Sequence, residues 1–154
     1  MLFRLALRPG ELWGLHWGDW RDGKLTICRN VKMVNGHELV ESVKTDAGHR
    51  TLPLDPVAAA ILERRRVEAF KQGHASPKNP IFANRYGGYT THGYYRRTIW
   101  TAALKSAGID YRVPYTLRHT AASWMLNSGQ VGLPCVSRWL GHANIETTLD
   151  ITPI

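Results

Sequence analysis

The pair Asn35-Gly36 constrains the fold of this chain more than any other local feature. Both residues tolerate positive φ angles, and such a pair between two strand-like segments is a strong signal for a two-residue β-hairpin. We therefore predict one strand over residues 24–34 and its antiparallel partner over residues 37–44. A turn then leads to a third strand over residues 49–54, which predicts a three-stranded antiparallel sheet.

The rest of the chain is predicted to be mainly helical, which gives an α+β fold with a small three-stranded antiparallel sheet near the N-terminus. Pro9 suits the start of a helix, because its missing N–H has no intrahelical partner there. Side-chain oxygens of Thr and Asn cap helix N-termini, so Thr116 and Asn144 are predicted to be caps. The predicted helices begin near Pro9 and cover residues 55–72, 91–105, 116–127, 133–140 and 144–149.

Composition favours a single domain that binds a polyanion. The chain has 154 residues, 44% of them hydrophobic, and its 20 Lys and Arg against 12 Asp and Glu give a net charge of +8. Cationic side chains that neutralise phosphates release counterions, so nucleic acid is the favoured partner; a basic but inert surface is the alternative. Cys28 and Cys135 predict neither a disulfide framework nor a metal site. That cysteine usage, with no apolar run of membrane-spanning length, favours a reducing, cytoplasmic location.

Four side chains stand in local contexts that suit phosphate binding. Arg8 lies in ALRPGELWGLHW, Lys44 in VKTDAGHRTLPL, Arg118 in YTLRHTAASWML and His142 in WLGHANIETTLD. Each also has an ordinary structural interpretation, such as an arginine paired with a nearby carboxylate or a solvated lysine on a hairpin. A histidine just after a helix can likewise be part of the helix C-terminal cap.

The segment around Arg118 carries the strongest single signal. Tyr115 and Arg118 are three residues apart at a predicted helix start, so they face the same way. The guanidinium fork of an arginine matches phosphate oxygens, and a helix N-terminus adds free N–H groups. The unperturbed pKa of a histidine such as His142 would allow it to donate a proton to a phosphoryl oxygen near neutral pH.

Together and in this order, the four segments resemble the catalytic domain of the tyrosine recombinases, the phage integrase family. The resemblance covers nearly the whole chain and implies that the partner is double-stranded DNA. It implies that Arg8 and Arg118 stabilise charge on the non-bridging oxygens of the scissile phosphate. Lys44 would protonate the leaving 5′ oxygen, and His142 would donate a hydrogen bond to a phosphoryl oxygen.

The resemblance also assigns supporting roles. Glu11 matches the acidic residue that orients the first arginine, and His119 lies beside the second arginine. Tyr115 stands where the family most often has histidine; its phenol can still donate a hydrogen bond but is a poor base at neutral pH. No cofactor and no metal are implied, because guanidinium groups carry the charge that Mg²⁺ carries elsewhere. The sequence has no clustered Asp or Glu ligands, which disfavours a metal-dependent nuclease.

The sequence departs from the family pattern most clearly at the nucleophile. A tyrosine that forms a 3′-phosphotyrosyl link is expected next to Ile151 and Thr152, but the sequence runs Ile151-Thr152-Pro153-Ile154. Either the chain lacks this tyrosine, or a chemically modified tyrosine lies between Ile151 and Thr152 without appearing in the sequence. In the first case, the alternative function is that of a non-catalytic DNA-binding remnant of a recombinase.

Domain organisation follows from the same resemblance. We expect residues 1–154 to form a recombinase-like catalytic domain that lacks the family's N-terminal core-binding domain and has a truncated C-terminal tail. A monomer is expected for this chain alone, and a tetramer on DNA only for a full-length form. The sequence leaves open whether the reaction is integration, excision or resolution.

Overall fold

The structure is a computed structural model that describes residues 1–43 and 45–149. Its strands are β1 (Trp20–Arg21), β2 (Lys24–Ile27), β3 (Arg29–Val34), β4 (His37–Ser42) and β5 (Arg50–Pro53). Its α-helical segments are α1 (Pro9–Trp13), α2 (Pro56–Lys71), α3 (His92–Tyr94), α4 (Thr101–Ser106), α5 (Thr116–Asn127), α6 (Leu133–Leu140) and α7 (Glu146–Leu149). A 3₁₀ turn spans Trp17–Asp19, and a π-helical segment, Tyr95–Trp100, joins α3 to α4. Helices hold more residues than strands, so the predicted α+β class is confirmed.

The hairpin predicted at Asn35-Gly36 is confirmed. Strands β3 and β4 pair antiparallel, and Val34 faces His37 across the turn. Asn35 has a φ of 51° and Gly36 a φ of 80°. The two residues thus adopt the left-handed backbone that a tight, right-handedly twisted hairpin requires.

The predicted pairing of the three strands is wrong in two respects. The strand expected over residues 24–34 divides at Cys28 into β2 and β3, which belong to different sheets. Strand β5 pairs with β2 and not with the hairpin, so the three-stranded sheet has the order β1-β2-β5. Leu25 and Leu52 face each other across this sheet and are both buried, so core packing holds β5 against β2.

Short-range hydrogen bonds form at two of the predicted helix starts. The Asp55 carboxylate accepts hydrogen bonds from the backbone N–H groups of Val57 and Ala58, both at 2.9 Å, and caps α2. Before α7, the Asn144 side chain accepts from the backbone N–H of Glu146 at 3.0 Å. These caps satisfy helix donors that have no intrahelical partner.

The prediction that Thr116 caps α5 is wrong. Tyr115 is the N-cap residue, and Thr116 is the first helical residue. The preceding turn already supplies backbone acceptors, because the N–H of Thr116 bonds to the Val113 carbonyl and that of Leu117 to the Pro114 carbonyl. The N-terminus of α5 therefore continues from a turn and has no side-chain cap.

Two groups of buried apolar side chains meet at the N-terminal segment. The larger group packs residues 2–17 against β2, β5 and α2. The smaller group packs α5 against α6 through Ala121, Ala122, Val136 and Leu140, and it includes Ala6. Because the N-terminal segment takes part in both groups, it brings the start of α1 next to the start of α5 and the end of α6. Within the described ranges, no helix is both long enough and apolar enough to cross a membrane.

Candidate active site

Glu11 lies at the centre of a buried network of charged side chains. Its carboxylate is 2% exposed and accepts hydrogen bonds from Nη1 of Arg8 at 2.8 Å and from Nη1 and Nη2 of Arg50 at 3.2 and 2.9 Å. Burial by itself raises the pKa of Glu11, but the hydrogen bonds and charge of Arg50 and Arg8 outweigh it, and the pKa lies below its usual value. Glu11 is therefore ionised at neutral pH.

Arg8 is the exposed member of this network. It is the N-cap residue of α1 with an extended backbone, and its own N–H donates to Oε2 of Glu11 at 2.9 Å. Its side chain is 35% exposed and lines a cleft of about 440 Å³ between α1, the β3–β4 hairpin and the turn before β5. The cleft is lined by Arg8, Glu11, Asn30, Lys32, Glu41, Ser42, Val43, Thr45, Gly48 and Gly141. A ligand in this cleft can reach Arg8 without displacing protein atoms.

Arg118, the third residue of α5, is completely buried. Its Nη1 donates to the Ala6 carbonyl and its Nη2 to the Leu140 carbonyl, both at 2.7 Å, while Nη1 lies 3.9 Å from Oε2 of Glu11. Burial first, and then the charge of Arg8, lower the pKa of Arg118 to about 10. The guanidinium therefore keeps its charge at neutral pH and fastens α5 to the N-terminal segment and to the end of α6.

His142 follows α6 and is also buried. Its Nε2 lies 2.9 Å from Nη2 of Arg118, and its Nδ1 lies 2.9 Å from Oγ1 of Thr148. Because a guanidinium can only donate, Nε2 must accept, and Nδ1 carries the proton that is donated to Thr148. His142 thus serves as an acceptor that holds Arg118.

The expectation that His142 donates a proton near neutral pH assumed an unperturbed pKa. Burial, followed by the positive charges of Arg118 and Arg8, lowers the pKa of His142 to about 4. In this conformation the imidazole is neutral at pH 7, and the nitrogen that faces the network has no proton to give. Its role toward a phosphate stays a prediction that would require Nε2 to exchange its partner.

Tyr115 and His119 lie at the edge of this arrangement. Both are half-buried, and their rings meet edge to face with centroids 4.7 Å apart. Burial, and then the charge of Arg118, lower the pKa of His119. In the part of the chain that the structure describes, neither side chain joins the hydrogen-bond network around Glu11. Their predicted roles therefore stay predictions.

Two of the predicted site positions lie outside the described residues. These are Lys44 and the junction of Ile151 with Thr152, where the nucleophile was expected. The residues on either side of the first position, Val43 and Thr45, both line the cleft next to Arg8.

Arg50 is the residue of this network that the sequence interpretation missed. It is 8% exposed, and it also donates through Nε to the Trp139 carbonyl at 2.7 Å and through Nη1 to the Gly48 carbonyl at 3.1 Å. A signal was present in the alternation of HRTLPL, because side chains two apart on a strand share a face. Arg50 shares the inward face with the buried Leu52, and an inward-facing arginine needs a buried carboxylate partner.

We define the Glu11 cluster as Glu11, Arg8, Arg50, Arg118 and His142. In it, three guanidinium groups surround one carboxylate while the imidazole is neutral. The cluster therefore has an excess of positive charge beside an open cleft, which is the electrostatic condition for binding an anion. Among the described residues, no group of three or more His, Cys, Asp or Glu side chains is placed to hold a metal ion.

Comparison with known sequences finds relatives of this chain among tyrosine recombinases and prophage integrases. A sequence profile of the phage integrase family matches residues 1–151. A tyrosine recombinase XerC-like protein of Caldanaerobacter subterraneus subsp. tengcongensis is 30% identical over 98% of this chain and 43% of its own length. The prophage integrase IntR of Escherichia coli is 29% identical over 95% of this chain and 39% of its own length. The chain thus spans less than half the length of these two relatives.

Solved structures of an integrase and a recombinase share the fold of this chain. The Tn1549 transposon integrase, in complex with a circular intermediate DNA, superposes with a TM-score of 0.83 at 21% identity, covering 99% of this chain and 52% of the integrase chain. The XerH site-specific recombinase bound to its difH substrate superposes with a TM-score of 0.71, also at 21% identity, covering 99% of this chain and 40% of the recombinase chain. At this level of identity the likeness concerns the fold.

Proposed function

Because this chain belongs to the phage integrase family, we propose that it is a recombinase catalytic domain that binds one phosphate of double-stranded DNA at the Glu11 cluster. The proposal extends to strand cleavage and rejoining through a 3′-phosphotyrosyl intermediate when the nucleophilic tyrosine is supplied. Without DNA, we propose that the chain is a monomer, which light scattering of the purified protein would test.

The observation that carries this proposal is the convergence of Arg8, Arg118 and Arg50 on one buried carboxylate. Glu11 balances only one of their three charges, and the neutral His142 adds none. A DNA phosphate that enters the cleft beside Arg8 would compensate part of this excess. Charge-assisted hydrogen bonds from a guanidinium to a phosphate are among the strongest that proteins make.

Arg8 and Arg118 would have different roles at the phosphate. Arg8 has the exposed guanidinium and would contact a non-bridging oxygen directly. Arg118 is surrounded by the carbonyls of Ala6 and Leu140, so in this conformation it would act by its charge at a distance. A fixed charge that needs no reorganisation stabilises the developing charge of a phosphoryl-transfer transition state.

Lys44 would supply the acid for the leaving group. Support comes from Val43 and Thr45, which line the cleft on both sides of that position. In the proposed step the tyrosine hydroxyl releases its proton to solvent and its oxygen bonds to phosphorus. The bond from phosphorus to the 5′ oxygen breaks, and Lys44 gives a proton to that oxygen. Attack by the 5′ hydroxyl group on the phosphotyrosine reverses the step and rejoins the strand.

A non-catalytic DNA-binding remnant is the second candidate function. It is favoured by one observation, which is that Thr152 follows Ile151 where the family pattern requires a tyrosine. A chain without that hydroxyl would hold the phosphate but could not form the covalent link.

DNA binding tests the part that both candidates share. Duplex binding, measured by fluorescence anisotropy, should weaken steeply as salt rises, because phosphate contacts release counterions. Arg8→Ala should reduce the binding free energy by about 1–3 kcal/mol, the usual range for a hydrogen bond to a charged group. Arg64→Ala is the matched control, since Arg64 is exposed on α2 and does not line the cleft. Equal affinities for the two variants would contradict the proposed site.

Cleavage of a nicked duplex separates the two candidates. We would compare the chain as it stands with two variants, one with a tyrosine and one with a phenylalanine inserted between Ile151 and Thr152. A covalent protein–DNA adduct that forms only with the inserted tyrosine, and persists in EDTA, would support the catalytic proposal. An adduct with the unaltered chain would show that another residue is the nucleophile, and no adduct with any chain would favour the remnant.

A further inference from the structure

We infer that Arg50 is a positioning residue, which holds Glu11 so that the charge and free N–H groups of Arg8 remain available to a DNA phosphate. This inference rests on the proposed function. Arg50 would not touch the DNA itself. It would act through Glu11 on the exposed arginine of the Glu11 cluster.

The hydrogen bonds of Arg50 show that it faces the protein. Nη1 and Nη2 grip the two carboxylate oxygens of Glu11, Nε reaches the Trp139 carbonyl, and Nη1 also reaches the Gly48 carbonyl. These contacts engage most of the donors that a guanidinium has. A planar fork is required for this grip, because the ammonium group of a lysine cannot bond both oxygens in the same geometry.

Glu11 transmits the effect to Arg8. Oε1 accepts from Nη1 of both Arg50 and Arg8, and Oε2 accepts from Nη2 of Arg50 and from the backbone N–H of Arg8. Since Arg50 compensates the carboxylate charge, the charge of Arg8 is left for an incoming anion. Without Arg50, Glu11 would pair with Arg8 alone or turn toward Arg118, and it would compete with the phosphate.

The surroundings of Arg50 are built for this contact. Gly141 has a φ of 70°, and a Cβ atom placed there would lie 2.8 Å from Nη1 of Arg50. Only glycine has both the backbone conformation and the space that this close approach needs. Arg50 joins three segments of the chain through Glu11, Gly48 and Trp139. In the sequence, each of these segments lies within a few residues of a predicted site residue.

A purely structural role for Arg50 is the alternative, and a double-mutant cycle separates the two. Arg50→Lys keeps the charge but loses the fork, and it should lower duplex DNA affinity at low salt by about tenfold. In the Arg8→Ala background the same change should alter affinity by less than about twofold, because the residue through which it acts is gone. Thermal stability is expected to fall in both backgrounds alike.

Arg65→Lys is the matched control for a structural arginine. Arg65 bonds through Nε to the Ile81 carbonyl and through Nη2 to the Ala83 carbonyl, away from the cleft. It should lower the melting temperature and leave DNA affinity unchanged. Unchanged affinity for Arg50→Lys, or an equal loss in both Arg8 backgrounds, would overturn the inference. Wild-type affinity for Arg8→Ala would instead overturn the proposed function, and the inference with it.

A measurement on the unaltered protein covers the case in which Arg50→Lys does not fold. The arginine Nε–H signals can be followed by NMR while a short duplex is added. The Arg8 signal should shift, whereas the Arg50 signal should stay protected and unshifted, because its Nε–H is bonded to the Trp139 carbonyl. An Arg50 signal that moves as much as that of Arg8 would mean that Arg50 touches DNA directly, which contradicts a positioning role.

Discussion

The two walls of the cleft are built in opposite ways. One wall is the Glu11 cluster, where charged groups are buried and bonded to several distant segments. The other is formed by the β3–β4 hairpin, which lines the cleft through residues such as Lys32 and Glu41. Residues 32–40 of this hairpin, which we call the outer hairpin, are all exposed. Its ion pair, Lys32 with Glu41, joins neighbouring strands at the surface. The comparison shows that the contribution of a charged side chain to stability and to binding depends on how deeply that side chain is buried.

The largest expected effect is on the buried wall. Arg118→Ala should lower the free energy of unfolding by about 3–5 kcal/mol, the cost of removing one partner from a buried charged network. The Ala6 and Leu140 carbonyls would lose their donor, and Glu11 would lose a nearby charge. Urea denaturation followed by circular dichroism measures this loss. A loss of less than about 1 kcal/mol, which is typical of exposed ion pairs, would show that the charges of both walls contribute similarly to stability.

The pH dependence of stability gives the second effect. The pKa of His142 is about 4 in the folded protein against 6.5 as its ordinary value, so between these values the unfolded chain binds more protons. The contribution of neutral His142 to the free energy of unfolding should be complete above pH 6.5. It should fall as the pH drops toward 4 and stay constant below that pH. The total change should be on the order of 3 kcal/mol.

His142→Gln is the matched variant for this prediction. A glutamine can accept from Arg118 and donate to Thr148, but it does not titrate. Subtracting its pH profile from that of the wild type should isolate the fall between pH 6.5 and 4. Identical profiles would show that His142 is not a buried, neutral acceptor.

The smallest effect is expected on the outer hairpin. Lys32→Ala should lower stability by less than about 1 kcal/mol, because the pair with Glu41 is exposed to solvent. Since Lys32 lines the cleft, its loss should remove about one phosphate contact. The slope of log affinity against log salt concentration should then become shallower by about 1. Lys71→Ala is the control, because Lys71 forms an exposed pair with Glu68 on α2 away from the cleft. The same salt slope for both variants would place the hairpin outside the DNA contact.

Local signals predicted much of the fold. The turn at Asn35-Gly36 follows from backbone conformation, and the caps at Asp55 and Asn144 follow from hydrogen bonds that span two or three residues. The order of motifs also brought Arg8, Arg118 and His142 into one hypothesis, and the structure places these side chains around Glu11. Such features depend on neighbours in the sequence or on a pattern that the sequence itself displays.

What the sequence determined by itself is therefore the hairpin, the helix ends and the candidates for an anion site. Only the tertiary structure decided that β5 joins β2, that Arg50 grips Glu11 and that His142 is neutral. The physical reason is distance along the chain. The bonds from Arg50 to Glu11 and to Trp139 span 39 and 89 residues, and the pKa of a buried group depends on every charge packed around it.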